Sequence, residues 1–499
     1  MLAADTKLGR VARGTLGLLR CCNPVASRRA DLGEALVRFG RPYPYGWWLR
    51  VQRVRRAAAA GGPGEAKPPV VAVAESDLPR GSWEPDGLEL LGRAVAGGAE
   101  VVQFHDDAPA EDGSSEREVF IRPTLGPVGR RSDAPGGGAL LGSPDPLGSA
   151  RSVRIDEVLL HRSERPPAQV VSAPSASGAD MAVVIPSPGN TRLLERVFAG
   201  LEREPNVVEV VVVDNTLPSP AMEELQREWS GRINLQVVRT DPEAQFNYSR
   251  ANNVGADATT APVLAFCNDD LEFIEHPTLA RLAGWLEVPG IGVVGPQLRY
   301  PDGTIQHGGV VIGLNGLAEH AFTRMSPNTQ TLLGNTDDPR DVSAVTGACL
   351  VTTRGTFDAV GGFDEELVLT GSDVWFCLRA AELGFSTAYD GTVALVHHES
   401  VARGDTNHLE DVLGSARRWG SIIDAGDPYW SARLACHRHV PTLRRPSDPT
   451  SRQMLETYLR SRGVHETVVA GLRAGGSAHA RRPAGPDGAE SDPRGPGVP

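Results

Sequence analysis

The sequence predicts an α/β protein built on a largely parallel sheet, and two stretches carry most of that expectation. Residues 207–214 (VVEVVVVD) and 263–270 (VLAFCNDD) are apolar runs that end abruptly on carboxylates. An apolar run broken by a single charge fits a strand buried on both faces at the centre of an α/β sheet. The third observation is the sequence around them, where apolar residues at helical spacing alternate with short strand-like runs.

Each element follows in order from Met181. Residues 182–185 read as the first strand, and Leu193, Leu194, Val197, Phe198 and Leu201 then recur on one helical face. A strand at 207–213, a helix at 221–229, a strand at 235–238, a helix at 249–258 and a strand at 263–266 complete the series. Such a β-α-β-α-β-α-β order makes a parallel sheet with right-handed crossovers. Acids at the carboxyl ends of its strands face the crevice where open α/β sheets bind ligands. Further on, Pro301-Asp302-Gly303 is a turn between strand-like segments, a hairpin signal. Residues 349–352 are a strand leading to a helix start near Thr356, and Ser372 is placed as the N-cap of a helix reaching Gly384. Residues 393–396 are a last strand, ahead of His397, His398 and Glu399.

The flanking regions are less regular. Residues 1–60 form a basic, helix-prone arm with twelve Arg and Lys against Asp5, Asp31 and Glu34, a net of +9 in a chain of net −12. The arm is expected either to pack its Trp47 and Trp48 on the protein body or to lie against an anionic membrane surface. Residues 57–68 are a linker, 69–164 hold a weak α/β pattern with strands at 70–73 and 101–104 and a helix at 88–96, and 165–179 are a second linker. The sharper pattern fills 180–432, an extension covers 433–473, and 474–499 read as a disordered tail. The acidic body argues against nucleic acid as the principal ligand. The six cysteines show no paired zinc or disulfide spacing, which fits a reducing, cytoplasmic setting. No signal-like segment opens the chain and no run of about 18 apolar residues crosses a bilayer, so any membrane contact is expected to be peripheral.

Several residues suit chemistry. Asp214, followed by Asn215, can accept from a base or ribose, while the plainer reading is a turn or cap aspartate. Asn268, Asp269 and Asp270 offer hard oxygen ligands for Mg²⁺ or Mn²⁺ at a strand end, although acidic turns of this kind are common. Asp373, in the first turn of its helix, is held ionised by the helix dipole and suits a general base or simply a cap. His397 could complete a metal shell and Arg403 could pair with phosphate, or both could belong to a polar turn.

Taken together, residues 181–430 resemble the family 2 glycosyltransferases of GT-A fold, in the rhamnosyltransferase-like branch. The matching segments include VVIP (183–186), VVVDN (211–215), FNYSRANNVGA (246–256), CNDDLEF (267–273) and GVVGPQLRYPDGTIQHGGVVIG (292–313). They continue with SAVTGACLV (343–351), VGGFDEEL (360–367), SDVWFCLRAAELGF (372–385) and ALVHHESVARGD (394–405). The resemblance implies a Rossmann-like mixed sheet flanked by helices and an inverting sugar transfer from a nucleotide-sugar donor, dTDP- or UDP-linked, with Mg²⁺ or Mn²⁺ as cofactor. By position it makes Asp373 the catalytic base and places Asn268, Asp270 and His397 at the metal. It gives Pro186, Asp214, Asn215, Asn252, Asp269, Gln306, His307, Gly347 and Arg403 to the nucleotide sugar and its pocket. The implied acceptor is a cell-envelope polysaccharide or a lipid-linked saccharide. Residues 69–164 resemble a worn first copy of the same domain, a smaller α/β remnant.

Two departures stand out. Ser187-Pro188-Gly189-Asn190 replaces the family's T-x-N or T-x-D after the first strand, and Trp375 replaces the second acid two residues after the base. Two other readings stay open. A sugar-phosphate nucleotidyltransferase would carry a Lys- or Arg-rich phosphate loop after the first strand, and none precedes Arg192. A non-catalytic saccharide-binding or scaffold protein would have no need of base, metal ligand and phosphate contact together.

Overall fold

The computed structural model describes residues 173–398 and 408–474, together with the strands of an N-terminal sheet and a few isolated residues before Ala173. The N-terminal strands are β1 (Ser82–Trp83), β2 (Val101–Pro109), β3 (Arg117–Phe120), β4 (Gly138–Leu140) and β5 (Ser152–His161). β2 pairs with β5 in parallel and with β3 and β4 antiparallel. The expected strand at 101–104 is thus longer than its apolar core, because the pairing continues through His105, Asp106 and Asp107. The expected strand at 70–73, the helix at 88–96, the basic arm, Arg403 and the C-terminal tail lie outside the described residues.

From Met181 the elements are β6 (Met181–Ser187), α1 (Thr191–Leu201), β7 (Val207–Asp214), α2 (Pro220–Trp229), β8 (Leu235–Arg239), α3 (Tyr248–Asp257), β9 (Val263–Cys267) and β10 (Leu271–Phe273). There follow α4 (Leu279–Trp285), β11 (Ile291–Arg299), β12 (Ile305–His307), β13 (Val310–Ile312), β14 (Ala318–His320), β15 (Gln330–Thr331), β16 (Gly334–Asn335), β17 (Arg340–Val342) and β18 (Cys349–Thr353). The series closes with α5 (Arg354–Val360), α6 (Ser372–Glu382), β19 (Ser386–His397), α7 (Leu409–Ala425), α8 (Ser451–Ser461) and α9 (Glu466–Ala474).

The main sheet runs β10-β19-β11-β18-β9-β6-β7-β8, with β12 on β11 and β17 on β19. β8, β7, β6 and β9 are mutually parallel, the unit read from the sequence. β18 then enters antiparallel to both β9 and β11, which makes the sheet mixed. The α/β expectation, a central sheet flanked by helices, therefore holds.

Alternation explains why the first strands read as unbroken apolar runs. Met181, Val183 and Ile185 of β6 face one core while Ala182 and Val184 face another, all buried. α1, α2 and α4 cover the first face through Phe198, Trp229 and Trp285. α3, α5, α6 and α7 cover the second through Ala251, Phe357, Phe376 and Trp419. Each such side chain is worth about 1.5–3 kcal/mol when moved out of water, so the sheet centre is where this chain's stability concentrates.

One expected boundary is corrected. Ser372 is the first residue inside α6, and Gly371 takes the N-cap position with a left-handed φ of 86°. A Cβ on residue 371 would lie 2.6 Å from Ser415 Oγ of α7, so the position suits glycine on both counts. α7 also supplies the buried Asp411, which accepts the N–H groups of Val368, Leu369 and Thr370 at 2.9, 2.9 and 3.0 Å. The loop that delivers α6 is thereby pinned from behind.

Candidate active site

Of the residues singled out from the sequence, Asp214 and the Asn268–Asp270 run lie at the carboxyl ends of parallel strands β7 and β9. Asp214 ends β7 with its side chain fully buried. Its Oδ1 accepts from the N–H and hydroxyl of Thr216 at 2.9 and 2.7 Å, the turn role expected of any aspartate there. Its Oδ2 is buried without a hydrogen-bond donor, with Arg239 Nε 3.9 Å away, and Asn215 Oδ1 is likewise unsatisfied. Two buried acceptors side by side at a strand end are costly unless a ligand supplies donors.

Asp269 is fixed from the neighbouring strand end, because Ser187 Oγ donates to its Oδ2 at 2.7 Å. Ser187 itself accepts the Gly189 N–H at 3.1 Å, and Asn190 caps α1 by accepting from Leu193. The departure Ser187–Asn190 is therefore a turn that orients Asp269. Pro186 is buried at the end of β6. Asn252, also buried, donates to Tyr248 O at 2.9 Å, and its Oδ1 has no partner.

Three residues meet where β9 and β19 end and β10 begins. His397 Nε2 lies 3.0 Å from Asp270 Oδ1 and 3.2 Å from the Asn268 side-chain amide. His397 is brought there because β19 pairs with β10, setting His397 opposite Leu271. Its other ring nitrogen, Nδ1, sits 2.6 Å from Gln306 Oε1, so that with the proton on Nδ1 the Nε2 lone pair faces Asp270. Among the described residues no three His, Cys, Asp or Glu side chains cluster as a metal site. The Asp270 carboxylate and the His397 imidazole nevertheless fit a divalent ion completed by water and phosphate oxygens, which Asn268 would join by turning in its amide oxygen in place of the Nδ2 that faces His397, and Gln306 is the outer partner that such a histidine ligand ordinarily has.

Next to this cluster stands a pair of histidines. His307 and His320 meet edge to face at 4.6 Å between ring centroids. Burial, and then the neighbouring His320 and His397, hold His307 well below the usual imidazole range. Burial also lowers His320, against the opposing pull of Glu319 and Asp373. His320 was not legible in the sequence as a site residue. β14 brings it in by pairing His320 with Val310, three residues beyond His307.

Asp373 occupies the first turn of α6. Its Oδ2 accepts the Gly347 N–H at 2.7 Å and its Oδ1 accepts the Val374 N–H at 2.8 Å. Gly347 is gripped at both ends, since its carbonyl accepts the Tyr248 hydroxyl at 2.7 Å. A carboxylate oxygen has two acceptor positions, so each oxygen of Asp373 retains one for a further donor. Trp375, two residues on, stacks on Trp419 with centroids 6.5 Å apart. The site a second acid would fill is therefore packed by two indoles.

Comparison with known proteins bears on the family that this domain resembles. Residues 182–352 match the family model described as Glycosyl transferase family 2. The chain is 36% identical over 249 residues to an uncharacterized protein of Sinorhizobium fredii, covering 48% of this chain and 27% of that one. It is 33% identical over 249 residues to the O-antigen biosynthesis protein RfbC of Myxococcus xanthus, covering 48% and 19% respectively. It is 29% identical over 130 residues to an N-acetylglucosaminyl-diphospho-decaprenol L-rhamnosyltransferase of Mycobacterium tuberculosis, covering 24% and 42%. The match thus spans less than half the length of each of these relatives. Among solved structures, GalNAc-T7 with UDP, GalNAc and Mn²⁺ is similar at 17% identity and a TM-score of 0.41, over 50% of this chain and 49% of that one. Residues 182–352 are thus similar to glycosyl transferase family 2, and the curated proteins that the chain resembles include ones named for O-antigen synthesis and rhamnosyl transfer.

Proposed function

We propose that this chain moves a sugar, with inversion, from a dTDP- or UDP-linked donor to a hydroxyl of a cell-envelope polysaccharide or lipid-linked saccharide. The observation that carries the proposal is the meeting of Asn268, Asp270 and His397, with Asp373 held in the first turn of α6 by the Gly347 and Val374 N–H groups. Asp214, Asn215 and Asn252 offer unsatisfied acceptors to the donor's nucleoside half. Pro186 and Asp269 shape the floor beneath it, Gln306, His307 and Gly347 complete the donor and acceptor pocket, and Arg403, outside the described residues, is assigned to the phosphates by its sequence position alone. Asn268, Asp270 and His397 would hold Mg²⁺ or Mn²⁺, which when bound supplies charge neutralisation for a departing diphosphate. Asp373 takes the proton of the acceptor hydroxyl, and Gly347 and Val374 keep its carboxylate aimed. The relative named for transfer to a diphospho-decaprenol supports a lipid-linked acceptor.

Asp373→Asn should lower turnover by roughly 10²–10⁴-fold while donor binding, read by calorimetry, stays near that of the parent. Parent-like turnover in that variant removes Asp373 from the role. A second reading, a saccharide-binding module without catalysis, is favoured by Trp375 alone. Donor binding that is the same with and without Mn²⁺, together with no transfer to any acceptor, would select it.

A further inference from the structure

The segment between α7 and α8 carries a feature the sugar-transfer reading leaves unused. Residues 431–445 (SARLACHRHVPTLRR) contain four arginines, two histidines and no acid, in a chain of net charge −12. They fold back on themselves: Leu434 bridges Leu443, Ala435 N–H donates to Thr442 O at 2.8 Å, and Arg444 N–H donates to Arg433 O at 2.7 Å. Arg433 and Arg444 are thus opposite each other, with Arg445 next along and Arg438 towards the tip. Among the described residues no carboxylate pairs with the guanidinium of Arg438, Arg444 or Arg445; Asp448 instead accepts the Arg445 backbone N–H and lies 3.9 Å from His437. Arg438, Arg444 and Arg445 thus form a patch of positive charge that no carboxylate among the described residues pairs with. Val440, beside the arginine at the tip, is 39% exposed.

The position of this turn matters as much as its charge. His439 Nδ1 lies 2.7 Å from His320 O, and Phe322 N–H donates to His439 O at 2.8 Å. Asn315 N–H donates to Cys436 O at 2.7 Å. The basic hairpin is therefore fastened to the strand that brings His320 to the site.

We propose that this hairpin is a contact for anionic lipid headgroups. It lays the domain on a phospholipid surface through Arg438, Arg444 and Arg445, with Val440 entering the headgroup layer. The site then opens beside the surface on which a lipid-linked acceptor is carried. That last step rests on the acceptor proposed above; the surface contact stands without it.

The test uses the full chain and vesicles of phosphatidylcholine with or without phosphatidylglycerol, read by co-sedimentation at low and high salt. Binding is expected to anionic vesicles and to fall with salt. The triple variant R438Q/R444Q/R445Q should partition roughly 100-fold more weakly, three charges each contributing as a basic residue does near such a surface. Thermal unfolding of the variant is measured alongside, and a second variant, Val440→Asp, should weaken binding where folding is unchanged. Parent-like binding of the triple variant overturns the proposal and assigns any attraction to residues 1–60. Equal binding to neutral vesicles, or displacement by inorganic pyrophosphate at constant ionic strength, also overturns it, the latter by pointing to a soluble phosphate ligand. No transfer step enters the assay, so its failure leaves the sugar-transfer reading untouched.

Discussion

Gly347→Ala is the sharpest test of how the candidate base is held. A Cβ at this position would lie 2.6 Å from Tyr248 Oη, 3.2 Å from Tyr248 Cζ and 3.3 Å from Asp373 Cβ. The first distance is far inside van der Waals contact, and Tyr248 cannot simply swing away, because its hydroxyl bonds the carbonyl of the same residue at 2.7 Å. Overpacking of this kind costs about 1–3 kcal/mol. Tyr248→Phe alone removes one hydrogen bond, about 1 kcal/mol. Combined, the two should cost less than their sum, since the phenylalanine ring lacks the atom that collides first. A coupling of about 1–2 kcal/mol is expected, within the range for residues in contact. Urea unfolding of the parent, both single variants and the double variant gives the cycle directly. Additivity to within about 0.5 kcal/mol would refute the argument that Tyr248, Gly347 and Asp373 are locked in one geometry.

Three further outcomes are expected. Asp411→Ala leaves three partly buried N–H groups in the loop before α6 without their acceptor and should cost about 2–4 kcal/mol; amide exchange at Val368, Leu369 and Thr370 should quicken, and unchanged exchange there would count against it. Gln306→Leu removes the partner of His397 Nδ1 and should weaken Mn²⁺ binding, followed by electron paramagnetic resonance with a nucleoside diphosphate present, by roughly 10–100-fold. For pH, His307 is depressed by burial, so the unfolded chain binds the proton more readily than the folded one. Stability should be fully present above the unfolded value near 6.5 and lost as pH falls from there towards the lower folded value. Replacing His307 with Leu should flatten that part of the curve in urea midpoints measured across pH, and an unchanged slope would sink the assignment.

What could be read from the sequence was what is local. The unit from β6 to β9 is announced by apolar runs and helical spacing because β6, β7 and β8 are successive in the sheet and β9 returns beside β6. Asp214, Asn268 and Asp270 were visible because strand ends in such a unit share one edge. What escaped depends on contacts between distant segments. The antiparallel entry of β18 has no signature of its own, since Cys349–Thr353 would be equally apolar in either direction. Ser187 meets Asp269 across 82 residues, and Asp411 reaches Val368 across 43. Ser372 looked like a cap because serine suits one, whereas the close approach of Ser415 decided the position for Gly371.

The joining of Asn268 to His397 spans 129 residues. During synthesis the buried carboxylate of Asp214 at the end of β7 can be in place while the strand that carries His397 is still unmade. That part of the crevice can therefore form well before the point where Asp270 meets its imidazole partner, and any chain cut short of β19 would present a bare carboxylate edge. Completion of the cluster is in this sense a late event, and a fragment ending before Ser386 should retain the parallel unit's pairing pattern without the histidine that closes the site.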